Sequence, residues 1–291
     1  MLSGDVVVAK VCESLWQTLP VTATGATATY NKPMTITLRI LVLVAAIQQF
    51  VFPIFVNPFR DGGRGRATTT PVPLTPSQIE PAGYAFAIWG PIYLLAIAYA
   101  VWQLTLSGRA DPATRRIAPY AIVLYAGSSL WLTVVAYGPL WASIPILVIM
   151  AVCASIALIA AVRTPEPTTM RLWLATIPFG LYAGWTTCAT FVNIAEVAPG
   201  YGFARFGLGV ATYGVLSIAV ATVVGGAVLV LTRGTLAYAA TILWALAAIA
   251  VAASARGSDA AIITAAVGGM VAVVIITALV RNFAGRSPAN P

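Results

Sequence analysis

Eight predominantly apolar runs, all of similar length, make up most of this chain. A helix needs about 20 apolar residues to cross a hydrocarbon layer of about 30 Å, and each run is close to that length. The runs lack the alternation of apolar and polar residues that is typical of a transmembrane β-strand. They therefore predict an all-α integral membrane protein, a polytopic bundle of about eight transmembrane helices. The runs are residues 38–56, 84–106, 117–137, 140–162, 172–195, 206–231, 236–255 and 260–280.

The composition is consistent with membrane lipids as the solvent. Hydrophobic residues make up 60% of the chain and charged residues 8%. A soluble domain of this composition would expose a single large apolar surface. Membrane lipids are therefore the first expected partners of the chain.

The segments outside the runs divide the chain further. Residues 1–37 are expected to form an N-terminal extension, disordered or interfacial, and Met34 is an alternative translation start directly before the first run. Most connections are short, but the loop 57–83 is long and rich in proline at its end. Loops of that length in compact bundles are often functional, although a plain solvated linker is the alternative.

The positions of Lys and Arg predict the orientation, since positive residues concentrate on the cytoplasmic side. With eight spans, eleven of the sixteen positive residues fall on the side of the N-terminus and five on the opposite side. Both termini are therefore expected in the cytoplasm, in a protein of the bacterial inner membrane. The net charge of +8 is then a feature of the membrane surface, and no nucleic-acid partner is predicted.

Missing residue types exclude several classes of function. The interior of every run lacks charged residues and histidine, whereas ion-coupled transporters usually place ionisable groups near the membrane midplane. The only lysines, Lys10 and Lys32, precede the first run, so a retinal Schiff base is excluded. Histidine is absent and the three cysteines have no ligand spacing, so no metal site is predicted. No base is available to activate a Ser or Thr, so no catalytic residue and no enzyme activity is predicted.

Aromatic residues recur at helical spacing in the second and fifth runs. Trp89 and Tyr93 are four residues apart and share a helix face. In the fifth run one face carries aromatic, small and neutral polar residues: Tyr182, Trp185, Ala189 and Asn193. Flat aromatic walls with a neutral polar group suit a planar apolar ligand. The alternative is that these rings only fill the core of the bundle.

The same two patterns resemble the TspO/MBR family of tryptophan-rich membrane proteins with five helices. In the second run, Phe86, Trp89 and Tyr93 match the family's Phe-x-Pro-Val-Trp-x-x-Leu-Tyr element. The fifth run matches its Tyr-x-x-Trp-x-x-x-Ala-Thr-x-x-Asn element without a gap, at Tyr182, Trp185, Ala189, Thr190 and Asn193. The likeness covers residues 38–197, so these are expected to form a TspO/MBR-like five-helix bundle. Residues 198–291 are then three additional transmembrane helices and a short tail.

The resemblance implies a hydrophobic small molecule as ligand, such as a non-covalently bound tetrapyrrole or a lipid-like molecule. The implied role is sensory, regulatory or related to transport. The implied ligand-binding residues are Tyr84, Phe86, Trp89, Tyr93, Tyr182, Trp185, Ala189 and Asn193. The ligand is expected between the first, second and fifth helices, under the loop 57–83.

Two departures from the family pattern bear on ligand choice. Tyr84 replaces the tryptophan of the family's Pro-Pro-x-Trp element, which puts in doubt the chemistry that the family is reported to perform on porphyrins. The third run carries Ser129-Leu-Trp-Leu-Thr133 in place of Gln-Leu-x-Leu-Asn. The alternative function is a non-catalytic helical subunit or assembly factor of a larger membrane complex. A homo-oligomer is also left open.

Overall fold

The structure is a computed structural model that describes residues 34–56, 77–202 and 207–286. The predicted N-terminal extension, except for its last residues, and most of the loop 57–83 lie outside the described residues. The described residues are helical, with no strand among them. The chain is thus an all-α membrane protein, as the sequence predicts.

The described ranges contain ten α-helices, α1 to α10 in chain order, and short 3-10 or π-helical turns extend three of them. They are α1 (Ile36–Phe55), a 3-10 turn (Gly83–Ile88) leading into α2 (Trp89–Trp102), α3 (Leu106–Ala110), α4 (Pro112–Tyr137), a 3-10 turn (Leu140–Ala142) leading into α5 (Ser143–Arg163), α6 (Thr169–Arg171), a π-turn (Leu172–Thr176) leading into α7 (Ile177–Val197), a 3-10 turn (Ala198–Tyr201), α8 (Val210–Leu231), α9 (Leu236–Ala255) and α10 (Ala260–Arg286).

Two prolines accompany the irregular turns before α2 and α7. Pro91 has no N–H to donate to the carbonyl of Ala87, and Pro178 has none to donate to Leu174. The backbone forms a 3-10 turn over Gly83–Ile88 and a π-turn over Leu172–Thr176 at these places. As a result, the first five residues of the predicted second run are 3-10 helix.

Within the described residues, seven helical segments are long and apolar enough to cross a membrane. The fifth run is the exception, because glycines, threonines and Glu196 lower the mean hydropathy of α7. The packing explains how α7 is accommodated. It contacts α2, α5, α8 and α9, so protein surrounds it on several sides, and 13 of its 21 residues are buried.

The directions of neighbouring helices indicate that α7 also crosses the membrane. Ser143 at the start of α5 lies beside Asn193 near the end of α7, so these two helices are antiparallel. Gly180 and Gly184 of α7 lie beside Ala237 and Thr241 of α9, so α7 and α9 run in the same direction. Eight crossings give these directions, with α7 as the fifth.

The helix contacts form two rings that share α7. In the first ring, α1 packs on α2, α2 on α7, α7 on α5, α5 on α4, and α4 on α1. In the second ring, α7 packs on α9, α9 on α10, α10 on α8, and α8 on α7. The first ring comprises helices from the range 38–197, for which a five-helix bundle stays a prediction. The second ring consists of α8, α9 and α10, closed by α7.

One face of α7 packs against helices of the second ring, and the other face points into the first ring. Gly180 and Gly184 face α9, where a Cβ at Gly184 would lie 2.9 Å from the carbonyl oxygen of Tyr238. Such small residues let membrane helices approach closely. Tyr182 and Trp185 lie on the other side of α7, in the interior of the first ring.

A buried ion pair joins the loops at the end of the first ring opposite the 3-10 turn Gly83–Ile88. Nε of Arg171 donates to both carboxylate oxygens of Asp111, at 2.9 and 3.0 Å. Asp111 also caps α4 by accepting from the backbone N–H of Ala113 at 2.9 Å. Arg171 further donates to the carbonyls of Thr164 and Pro165. The pair thus fixes the starts of α4 and α7 to each other.

Candidate functional site

Six aromatic rings meet inside the first ring of helices. Trp89 is at their centre, and its ring centroid lies 5.2 Å from Tyr93, 5.9 Å from Tyr182, 6.2 Å from Trp185 and 6.2 Å from Trp131. Phe86 contacts Trp185 edge to face at 5.7 Å. We call these six residues the Trp89 cluster: Phe86, Trp89, Tyr93, Trp131, Tyr182 and Trp185.

Helix geometry explains how the sequence builds the cluster. Trp89 and Tyr93 are one helical turn apart on α2, and Tyr182 and Trp185 are three residues apart on α7. Each pair therefore projects from one face of its helix. Edge-to-face and tilted contacts at these distances are the favoured arrangements of aromatic rings. Trp131 of α4 completes the cluster from the opposite side.

The rings of the cluster differ in their exposure. Tyr182 and Trp185 are almost fully buried, at 1% and 3% exposed. Phe86 and Trp89 are only half-buried. The cluster is therefore most accessible from the side of the 3-10 turn Gly83–Ile88.

Two hydrogen-bonded pairs of polar side chains line the same interior. The Tyr182 hydroxyl donates to Oε1 of Gln49 on α1 at 2.9 Å, and the hydroxyls of Tyr93 and Ser128 are hydrogen-bonded at 2.8 Å. Gln49 is 0% exposed. These contacts bring α1 and α4 to the cluster.

Two buried N–H groups here have no hydrogen-bond partner among the residues that the structure describes. They are Nε2 of Gln49 and Nε1 of Trp185. Buried donors are nearly always hydrogen-bonded in folded proteins, and an unsatisfied one costs about 1–3 kcal/mol. Both groups can donate to an acceptor atom of a ligand, and neither can accept.

The structure brings five of the eight predicted site residues together, and the other three lie apart. Tyr84 is 51% exposed, and its ring contacts Trp244 of α9 at 5.5 Å. Asn193 accepts a hydrogen bond from Ser143 at the start of α5. Ala189 is half-buried on the turn of α7 between Trp185 and Asn193.

The sequence interpretation missed Gln49 and Ser128, and it did not count Trp131 among the site residues. Trp131 lies inside the third-run segment Ser129–Thr133, which stands in place of the family's Gln-Leu-x-Leu-Asn element, so its position there was an available signal. Gln49 is the second of two adjacent glutamines near the end of an apolar run. A buried amide in a membrane helix usually has a polar partner or a functional role.

A second concave surface lies outside the first ring. It is a groove of about 580 Å³ between α9 and α10, and its lining is almost entirely apolar. Trp244 contributes to it, together with residues that are widely exposed on the same side of the bundle. The lining residues are Ala240, Leu243, Trp244, Ala247, Met270, Val271, Val274 and Ile275.

Comparison with known proteins gives one match at the level of the family. The sequence model of the family described as TSPO-like protein matches residues 36–280. This range includes both rings of helices, so the match extends through the three additional spans. The search of curated proteins and the search of solved structures found no match.

Proposed function

Since the chain belongs to the TSPO-like protein family, we propose that it binds a planar apolar small molecule at the Trp89 cluster. A tetrapyrrole or a lipid-like molecule with acceptor atoms on its edge has the required chemistry. The role would be sensory, regulatory or related to transport. The proposal is for a binding protein without catalytic activity, as is general in this family.

One observation carries the proposal: two buried N–H donors without a described partner lie among the rings of one cluster. Nε1 of Trp185 belongs to the cluster itself, and Nε2 of Gln49 is on the amide that holds the Tyr182 hydroxyl. A ligand with carbonyl, carboxylate or ring-nitrogen acceptors gains hydrogen bonds from both. Its apolar faces gain from contact with the rings and from desolvation.

The aromatic faces alone would not distinguish a binding site from a packed core. Lipid is itself a good solvent for an apolar ligand, so specificity in a membrane must come from enclosure and a few polar contacts. The half-buried rings of Phe86 and Trp89 provide the side from which a ligand reaches the two donors. We therefore place the ligand against these rings, with its acceptor edge toward Gln49 and Trp185.

Replacing Trp185 tests this placement. Trp185→Ala removes a ring and one of the two donors, so it should weaken binding of protoporphyrin IX by about 1–3 kcal/mol. Fluorescence titration of the purified protein measures the affinity. Trp173→Ala is the matched control, because Trp173 is 60% exposed and lies outside the cluster. Unchanged affinity together with a lower unfolding temperature would establish Trp185 as a core residue only.

Membrane topology is the second part of the proposal. The protein is an integral membrane protein, and we place it in the bacterial inner membrane with both termini in the cytoplasm. The Trp89 cluster then lies toward the outer face, because Trp89 follows the outer loop directly.

An absorption spectrum of the freshly purified protein provides a first test of tetrapyrrole binding, since a retained tetrapyrrole gives a Soret band.

The groove between α9 and α10 favours a second candidate function. Its apolar lining in the middle of two membrane spans suits a helix of another membrane protein. The chain would then be a non-catalytic subunit or assembly factor of a larger complex. Mild detergent extraction tests this: a stoichiometric partner protein that copurifies supports it, and a chain that purifies alone contradicts it.

A further inference from the structure

The segment 77–88 joins the long loop to α2, and we call it the entrance segment. Its first part packs on the second ring of helices. Ile79 is 1% exposed, and its Cγ2 would lie 3.0 Å from a Cβ placed at Gly214 of α8. Glycine at position 214 thus leaves the space that the Ile79 side chain occupies.

Four hydrogen bonds tie the same segment to α9 and to the residue after it. The backbone N–H of Ala82 donates to the carbonyl of Ala248 at 3.1 Å. Nε1 of Trp244 donates to the carbonyl of Ala85 at 3.2 Å. Nη2 of Arg256 donates to the carbonyls of Gln78 and Glu80, at 2.9 and 3.0 Å.

The other side of the entrance segment faces the Trp89 cluster. Tyr84 contacts the ring of Trp244, and two residues later Phe86 contacts Trp185 of α7. The 3-10 turn Gly83–Ile88 therefore carries an anchor to the additional helices on one side and a ring of the candidate site on the other. Trp89 follows the turn directly.

We propose that α8 and α9 act as a clamp that holds Phe86 and Trp89 in position at the ligand site. Trp244 and Arg256 are then positioning residues, which act on the ligand through the entrance segment. This assigns a function to two of the three additional helices. It rests on the proposed function of the Trp89 cluster.

Two variants loosen the clamp without touching the cluster. Arg256→Gln removes the charged donor of two hydrogen bonds, and Trp244→Phe keeps a ring beside Tyr84 but removes the N–H. Arg109→Gln and Trp141→Phe are the matched controls, because both residues are exposed and lie away from the entrance segment. All variants are made in the full chain and compared at temperatures below their unfolding transitions.

Three measurements show how the substitutions affect ligand dissociation, the entrance segment and the aromatic rings. Stopped-flow fluorescence gives the dissociation rate of protoporphyrin IX, and hydrogen–deuterium exchange follows the peptide 77–88. Near-UV circular dichroism of Arg256→Gln reports the arrangement of the rings, since this variant removes no aromatic residue. A lost hydrogen bond contributes about 0.5–1.5 kcal/mol, so each clamp variant should dissociate about 2- to 10-fold faster. Exchange of the peptide should be faster in both, and the controls should match the wild type.

The contrary outcomes are distinct. Unchanged exchange in both clamp variants would show that α8 and α9 do not hold the segment. Faster exchange with an unchanged dissociation rate and an unchanged near-UV spectrum would show that the anchors do not position the rings. If the wild type does not bind protoporphyrin IX, the proposed function fails for that probe. The clamp is then tested by hydrogen–deuterium exchange of the peptide 77–88 and by the near-UV spectrum of Arg256→Gln. Changes in both support the clamp, and an unchanged spectrum overturns it.

Discussion

Asp111 is a single carboxylate with two structural partners. It accepts the capping hydrogen bond of α4 from Ala113 and forms the buried ion pair with Arg171. Removing one partner of a buried ion pair leaves the other charge uncompensated, which is far more costly than losing an exposed pair. The stability of the loop region on this side should therefore depend on the charge of Asp111.

The variant Asp111→Asn separates the two roles, because asparagine caps a helix about as well as aspartate. We expect it to lower the free energy of unfolding by about 3 kcal/mol, the usual cost of breaking a buried pair. Thermal unfolding in detergent measures the change. Asp259→Asn is the control: Asp259 accepts from the backbone N–H of Ala261 in the same way but is exposed. Equal losses in both variants would mean that the ion pair contributes little.

At the scale of the helix, the glycines of α7 decide how closely α9 approaches. A Cβ at Gly184 would lie 2.9 Å from the carbonyl oxygen of Tyr238 and 2.8 Å from Cβ of Thr241. Neither atom is the far end of a flexible side chain, so one of the two helices must shift. Gly184→Ala should therefore destabilise the protein by about 1–3 kcal/mol, the usual cost of overpacking.

Gly268→Ala is the matched control for this substitution in a membrane helix. Position 268 on α10 has no atom within 4 Å of an added Cβ, so alanine there should be neutral or slightly stabilising, because it is the better helix former. Melting temperatures of the two variants in one detergent give the comparison. A Gly184→Ala protein as stable as Gly268→Ala would show that α7 and α9 are not in tight contact.

The helices themselves could be predicted from the sequence, because a span must be long and apolar. The pairing of Trp89 with Tyr93 and of Tyr182 with Trp185 could be predicted too, since it depends only on spacing within one helix. The contributions of Gln49 and Ser128 could not. They depend on how each apolar helix is rotated about its axis. The sequence does not determine that rotation, because an apolar face packs about as well against lipid as against a neighbouring helix.

The contact between Tyr84 and Trp244 is another contact between helices that the sequence does not predict, and its two residues are far apart in the chain. The resemblance to five-helix proteins contained no information on α9. A ligand-binding role of Tyr84 stays a prediction, and the sequence did not indicate that its ring contacts Trp244 of α9. No feature of the three later spans, which are rich in alanine, indicated that one of them reaches the entrance segment.

For the whole molecule, the proposed eight crossings would place both ends of the chain on one side of the membrane. Eleven positive residues against five lead us to propose that this side is the cytoplasm. Reporter fusions at Pro291 and at Gly63 should therefore report opposite compartments, with Pro291 inside. If α7 did not cross, the number of spans would be seven, and the two fusions would report the same side.

The position of α7 between two rings has a consequence for biosynthesis. The insertion machinery accepts a segment as a span according to its hydrophobicity, and α7 is the least apolar of the eight. Its partners α8 and α9 emerge from the ribosome only after it. The insertion of α7 therefore depends on helices that have not yet been synthesised. We expect α7 to be stably inserted in the bilayer only once α8, α9 and α10 have been synthesised.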